Sequence, residues 1–279
     1  MSRGNEAVMH SPDESKRESQ RQWNRTPCGT GDFLRDIEPE SVAYFDAIRY
    51  QRYQVTDPWM LQKVPFAAAA GKRLLEIGHG IGSDLLTFAE AGAEVHGVDI
   101  TPEHHRLAQR NFAVHGMPVD LRLGDAANLD YPSDHFDVVY SHGVLHHTPD
   151  TMRCIGEAYR VLKPGGLLIM SVYRRFSAFH LVAKLLVDGV LRQRLFTLGY
   201  DGLMATVERG ADGRSIKPLV KTYTGRQVRG LLKDFSSVEV SVAHFSRDHL
   251  SVLAPLLPRS MEKLLEPALG WYLLAFATK

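Results

Sequence analysis

Leu74-Leu75-Glu76-Ile77-Gly78-His79-Gly80-Ile81-Gly82-Ser83-Asp84 runs from an apolar stretch through three alternating glycines into a helix start. The order predicts a buried strand over Arg73–Gly78, a glycine loop, and a helix over Ser83–Ala91 with Ser83 or Asp84 near its N-cap. Glycines at such a junction let the backbone approach a ligand closely and adopt conformations barred to other residues. A second strand, Glu94–Asp99, ends on a carboxylate 17 residues after Gly82. An acidic side chain at that place can accept both hydroxyls of a ribose.

The spacing of the glycines narrows the ligand. Dinucleotide-binding loops read G-x-G-x-x-G. Here the pattern is Gly78-x-Gly80-x-Gly82, and Ser83 stands where the third dinucleotide glycine would be. Glu76 precedes the loop and would oppose a diphosphate, so a cationic ligand suits the site better. A second acidic point follows the third strand in Leu123-Gly124-Asp125-Ala126. Asp125 could accept from an adenine amino group and the Ala126 amide could donate to a ring nitrogen. The competing reading of Asp125 is a turn or cap residue.

Outward from this core, strands and helices alternate. After the second strand come a helix from Thr101 to about His115, a strand Val119–Gly124, a strand Phe136–Ser141, a helix Thr148–Leu162 stopped by Lys163-Pro164-Gly165-Gly166, and a strand Leu167–Tyr173. This rhythm implies right-handed crossovers and a parallel sheet. A helix over Thr224–Phe235 and strands Val238–Phe245 and Trp271–Thr278 complete an α/β, doubly wound seven-stranded sheet. Upstream, Val42–Tyr53 and Trp59–Ala70 read as helices of an N-terminal cap. The expected organisation is a disordered tail over 1–20, a cap over 21–70 and the sheet domain over 71–279. Residues 174–222 form a lid inserted after the fifth strand, with an amphipathic segment Ala178–Leu198. Such an insertion would lie over the carboxyl edge, where ligands bind.

Composition removes several alternatives. With 44% apolar and 23% charged residues the chain is ordinary for a globular protein. A formal charge of +1 provides no overall field for nucleic acid. The two cysteines, Cys28 and Cys154, belong to no CxxC pair, which argues against a disulfide scaffold or structural zinc site. The polar N-terminus has no apolar leader and no run reaches membrane-spanning length, so the cytoplasm is the default location and no stable membrane insertion is expected.

Four blocks, LLEIGHGIG, GVDIT, GDAANLDYPSDHFDVVYSHGVLHHTPD and EAYRVLKPGGLLIMSVY, make residues 72–173 resemble the class I S-adenosylmethionine-dependent methyltransferases, in particular the ubiquinone/menaquinone-type small-molecule branch. The resemblance implies a Rossmann-like methyltransferase sheet, S-adenosyl-L-methionine as cofactor, a small-molecule acceptor and S-adenosylhomocysteine as product. It implies Gly78, Gly80 and Gly82 around the methionine part, with Glu76 supporting the loop or meeting the amino group. It implies Asp99 on the ribose, Ile100 against adenine, and Asp125 with Ala126 on the adenine edge. Ser141 and His142 would pass close to the methionine end. His79 departs from the family, which often has cysteine there, and is expected to alter the local charge. Rival readings are a nicotinamide-dependent oxidoreductase, a non-catalytic S-adenosylmethionine-binding protein and an RNA methyltransferase. Glycine spacing opposes the first, and near-neutral charge with no appended RNA-binding motif opposes the last.

Methyl transfer is an in-line displacement from a sulfonium, so positioning and desolvation supply much of the acceleration. If the acceptor must shed a proton, His146 or His147 is the candidate base; capping or packing is the competing reading. His142 and His146 have i,i+4 spacing, yet no carboxylate or cysteine in that loop completes a metal set, so no metal is expected. His104, His105 and His135 read as surface or cap residues. Trp23, Cys28, Tyr44, Tyr50, Tyr53 and Tyr173 are candidates to line the acceptor pocket or to pack the cap. A peripheral membrane contact by Ala178–Leu198 is the sharper alternative to a lid helix with one buried face.

Overall fold

In the computed structural model, which describes residues 11–279, Arg73–Ile77 (β1) lies at the centre of a seven-stranded sheet. The chain builds it from an N-terminal region holding helices α1 (Pro12–Arg25), α2 (Val42–Tyr50) and α3 (Met60–Lys63). Then follow β1, α4 (Ser83–Glu90), β2 (Glu94–Asp99), α5 (Pro102–His115), β3 (Asp120–Leu123), β4 (Phe136–His142), α6 (Thr151–Val161) and β5 (Leu162–Tyr173). The remainder supplies α7 (Arg194–Ala205), α8 (Gly225–Leu231), β6 (Ser237–Ala243), α9 (Glu262–Leu269) and β7 (Tyr272–Thr278). The strand order is β3-β2-β1-β4-β5-β7-β6. The first five strands pair in parallel, and β7 runs antiparallel between β5 and β6.

The central strands are apolar without interruption because helices cover both faces. Leu75, Val139, Leu168 and Met170 face α6 and α8, where Cys154, Ile155, Ala158, Val161, Val228 and Leu232 receive them. Their chain neighbours Leu74, Val138, Tyr140 and Ile169 point the other way, onto Leu86, Phe88, Phe112, Trp59 and Phe66. The alternation follows from the two-residue period of a strand.

Four readings of the sequence need correction. Residues 11–20 are not a disordered tail but lie in α1 or cap it; residues 1–10 lie outside the described residues. Ser11 caps the helix by accepting from the Glu14 amide, Pro12 opens it, and Asp13 and Glu14 sit in its first turn. The helix buries Ser15, Glu18, Ser19 and Gln22, a polar stripe at helical spacing. The expected helix over Ala178–Leu198 is two segments: a wide-turn helix over Phe179–Leu191, then α7 after a break at Gln193 (φ 58). Between β6 and β7, a short helical stretch over Arg247–Leu256 and α9 occupy sequence in which no element was expected. Helix Trp59–Ala70 is cut at Pro65, leaving α3 and a single turn over Phe66–Ala69. Among the described residues no helix is long and apolar enough to cross a membrane.

Candidate active site

A cavity of about 690 Å³ opens at the carboxyl ends of β1, β2 and β4, within the size range of small-molecule sites. The β1–α4 loop forms its floor. Gly78, Gly80 and Gly82 all have positive φ (77°, 54° and 82°). At Gly78 a Cβ would also lie 2.3 Å from a Val144 methyl, so only glycine fits there. Gly82 is the N-cap of α4 and does not face the cavity; its task is the left-handed turn itself. The Asn111 amide donates to the Ile81 carbonyl at 2.9 Å and ties the loop to α5. Ser83 and Asp84 therefore lie inside α4 rather than capping it.

Asp99, at the end of β2, is 7% exposed and holds three hydrogen bonds. It accepts from the Gly80 amide (3.0 Å), the Thr101 amide (2.8 Å) and His104 Nδ1 (3.3 Å). The Cys28 amide donates to His104 Nε2 at 3.1 Å, which leaves the His104 proton on Nδ1 for Asp99. His104 is thus not the surface or cap residue expected, but a buried link between the N-terminal region and Asp99. Burial alone would raise the Asp99 pKa; His104, His79 and the Thr101 amide outweigh it and hold the carboxyl well below the usual range. A carboxylate has about four acceptor positions. With three taken, one stays free for a ribose hydroxyl and a second would have to replace His104.

Glu76 is the reverse case. Burial pushes its pKa far up, with Asp84 adding to the effect and Arg52 opposing it. Its Oε2 is buried without a hydrogen-bond partner. The charge that was expected to repel a diphosphate is therefore suppressed until a cation arrives. His79 adds no charge either: burial lowers its pKa, and its Nδ1 sits 2.7 Å from the Gly80 carbonyl. Beside Glu76, the Asp84 carboxylate is 2% exposed and takes a two-pronged hydrogen bond from Arg52 (2.6 and 2.5 Å). The Tyr53 and Tyr140 hydroxyls also donate to it, at 2.8 and 3.0 Å. Sequence reasoning missed this pair because its halves lie in different segments.

The remaining expected positions divide. Ile100 and Ala126 line the cavity. So does Asp125, but one of its oxygens accepts from the Ala127 amide (2.9 Å) in a turn, and the other meets Lys16 of α1 at 2.5 Å. Ser141 does not reach the cavity; it is fully buried and donates to the Ile77 carbonyl at 3.0 Å, tying β4 to β1. His142 lines the cavity with Nδ1 2.6 Å from the Ser171 hydroxyl. Burial, with Arg52 nearby, lowers its pKa to about 4, so it is neutral. Of the aromatic candidates, Trp23 and Tyr173 line the cavity with Cys28, while Tyr44, Tyr50 and Tyr53 do not; Tyr272 does and was missed. The Cys28 side chain is exposed where it lines the cavity.

His146 and His147 occupy a single turn after β4. His147 lines the cavity; its Nδ1 is 2.6 Å from the Leu219 carbonyl and its Nε2 3.2 Å from Glu208. Glu208 follows α7, from the region expected to be a lid, and had no sequence signal. His146 lies behind His147 with no exposed surface, its ring 3.8 Å from that of Tyr173, and neither ring nitrogen has a partner.

The arrangement is that of a doubly wound α/β protein with its cavity at the carboxyl edge of the sheet, where ligands bind in this class. Comparison with known proteins sharpens it: residues 75–170 match the family model of the methyltransferase domain. The chain is 32% identical over 173 residues to a phthiotriol/phenolphthiotriol dimycocerosates methyltransferase of Mycobacterium leprae, covering 58% of this chain and 62% of that one. It is 31% identical over 137 residues to a ubiquinone biosynthesis O-methyltransferase of Thiobacillus denitrificans, covering 48% and 57%. The matches thus span less than two thirds of these relatives. A solved S-adenosylmethionine-dependent methyltransferase of Mesorhizobium loti shares the fold (TM-score 0.51, 19% identity, 80% of this chain and 96% of that one). So does the [4+2]-cyclase SpnF (TM-score 0.53, 21%, 84% and 81%). Residues 75–170 are thus similar to a methyltransferase domain.

Proposed function

We propose that the chain transfers the methyl group of S-adenosylmethionine to a small-molecule acceptor and releases S-adenosylhomocysteine. The observation that carries this reading is the pair of buried carboxylates flanking the glycine loop. Glu76 keeps an unpartnered oxygen for an ammonium, and Asp99 keeps an acceptor position for a ribose hydroxyl. A diphosphate would lie against the Asp99 carboxylate, and the nearby cations Arg52 and Lys16 are already paired, with Asp84 and Asp125. In this reading Gly78 and Gly80 cradle the methionine part with Glu76. Asp99 takes the ribose, Ile100 and Ala126 flank adenine, and His142 borders the methionine end as a neutral wall. Gly82 and Ser141 act from behind, holding the loop's shape.

Residues 71–279 then form the catalytic domain, 21–70 the cap and 174–222 the lid, with α1 added to the cap. Trp23, Cys28, Tyr173 and Tyr272 enclose the acceptor end. There a lone pair of the acceptor forms the new bond to the methyl carbon while the carbon–sulfur pair leaves on sulfur, neutralising the sulfonium. Any proton the acceptor must shed is drawn off where His147 meets Glu208, since His147 lines the cavity and His146 lies behind it. The relatives' small-molecule substrates support such an acceptor over nucleic acid. Transfer of a labelled methyl group, screened against a broad metabolite extract, tests the activity. A labelled product that requires the enzyme is expected; cofactor binding without transfer to any acceptor would favour a binding protein instead.

Lys16 occupies the Asp125 oxygen that an adenine amino group would use. The ion pair is partly exposed, so it is worth ~1 kcal/mol or less. Lys16→Met is therefore expected to tighten S-adenosylhomocysteine binding by up to about fivefold by calorimetry. Weaker binding would mean that Lys16 helps to hold the ligand.

A further inference from the structure

The loop holding His142 and His146 offers no third metal ligand in sequence, but the folded chain supplies one from the lid. A ligand atom from each of His146, His147 and Glu208 lies within 4.8 Å of the others, and all three residues are buried. His147 Nε2 and Glu208 Oε1, at 3.2 Å, already have the separation of two ligands on one ion. We propose that His146, His147 and Glu208 bind a divalent transition metal of the zinc class, with an oxygen of the acceptor or a water as fourth ligand. Two imidazoles and a carboxylate are a common catalytic zinc set, which leaves a position open.

Independent observations on the same residues point to a cation. His146 is fully buried and both of its ring nitrogens lack partners, a cost that packing on Tyr173 does not offset. The Glu208 carboxylate, 6% exposed, meets no lysine or arginine among the described residues. Its other contact is the Tyr173 hydroxyl at 3.4 Å. Burying a carboxylate without a cation is costly. His147 is oriented by its Nδ1 contact with the Leu219 carbonyl, the second bond that metal-binding histidines usually make. A hydrogen bond between His147 and Glu208 alone would account for two of the three residues and leave His146 orphaned.

The metal's role toward the acceptor rests on the methyl-transfer reading above; the metal site itself stands on this geometry. His147 would then act as a ligand rather than a base. A metal-bound hydroxyl or phenol loses its proton to water more readily. The resulting oxygen lone pair attacks the methyl carbon as the carbon–sulfur pair returns to sulfur. The site would also join the lid, through Glu208, to the sheet.

Calorimetric titration of metal-stripped protein with Zn²⁺ tests the site, with Mg²⁺ as a competitor that prefers oxygen ligands. One saturable equivalent, not displaced by Mg²⁺ and weakened at least tenfold in Glu208→Gln and His146→Gln, is expected. S-adenosylhomocysteine affinity measured on the same samples reports that the variants are folded. No saturable Zn²⁺ binding, or wild-type affinity in both folded variants, overturns the proposal. Should either variant fail to fold, anomalous diffraction from Zn²⁺-soaked wild-type crystals decides. A peak among the three side chains supports the site; a peak elsewhere or none refutes it. Failure of wild-type protein to bind S-adenosylhomocysteine would count against the methyltransferase reading while leaving the Zn²⁺ result to stand by itself.

Discussion

Arg52→Ala is expected to cost about 3–5 kcal/mol of folding stability, the usual consequence of removing one partner of a buried ion pair. Asp84 is 2% exposed, and the Arg52 guanidinium is the cation that satisfies it. Burial pushes the Asp84 pKa up, and Arg52 more than reverses this, holding the carboxyl below its ordinary value. Without Arg52 the Tyr53 and Tyr140 hydroxyls still donate, but no charge balances the carboxylate. Glu76 lies close enough to oppose it further. Asp84→Asn in the Arg52→Ala background is expected to recover part of the loss, because the charge left behind is then gone. Denaturant unfolding measures both. A loss below about 1 kcal/mol for Arg52→Ala would mean that solvent reaches Asp84 and that the pair is ordinary surface electrostatics.

Asp99→Ala is expected to weaken S-adenosylhomocysteine binding by about 1.5–3 kcal/mol, on the order of 10–100-fold, through loss of hydrogen bonds to a charged group. The same carboxylate fixes the loop through the Gly80 amide and the N-terminal region through His104. Part of the effect will therefore appear as a lower melting temperature. His104→Ala separates the two contributions. It frees one Asp99 acceptor position and removes the tether to Cys28, so ligand affinity should fall less than in Asp99→Ala. Unchanged affinity in folded Asp99→Ala would show that the ribose lies elsewhere.

The sheet was readable because its strands are buried on both faces and its turns carry glycine: Leu74–Ile77 ahead of Gly78, and Val138–Tyr140 between helices, match their expected ranges. α1 was not readable by hydrophobic period. Its inward face is Ser15, Glu18, Ser19 and Gln22, because it covers polar groups around the cavity and not an apolar core. Gln22 donates to the Arg209 carbonyl, Gln20 to the Ile100 carbonyl, and Glu18 accepts from the Lys217 amide. The cap signal was present in Ser11-Pro12-Asp13-Glu14, and weighting it above composition would have found the helix.

Within the site, local order puts Gly78, Gly80, Asp99, Ile100 and His142 along the cavity, but not Gly82 or Ser141, which were read from the same order. His104 was not legible: at the first turn of α5 it resembles a surface residue until Cys28 is brought against it. Glu208 and Arg52 were hidden for the same reason. Each acts through a partner 61 (208 − 147) or 32 (84 − 52) residues away, and no local pattern encodes such a pairing. Asp125 lines the cavity as expected, but local order did not show that its oxygens meet the Ala127 amide and Lys16.

Everything proposed for the cavity depends on which nucleoside-bearing ligand the Gly78–Asp99 segment accepts. Parallel calorimetric titrations of the wild-type chain with S-adenosylhomocysteine and with NAD test this most directly. Saturable binding of one S-adenosylhomocysteine per chain, with none of NAD, is the result expected from the unpartnered Glu76 oxygen and the spacing of the glycines. Binding of NAD without S-adenosylhomocysteine would contradict the assignment.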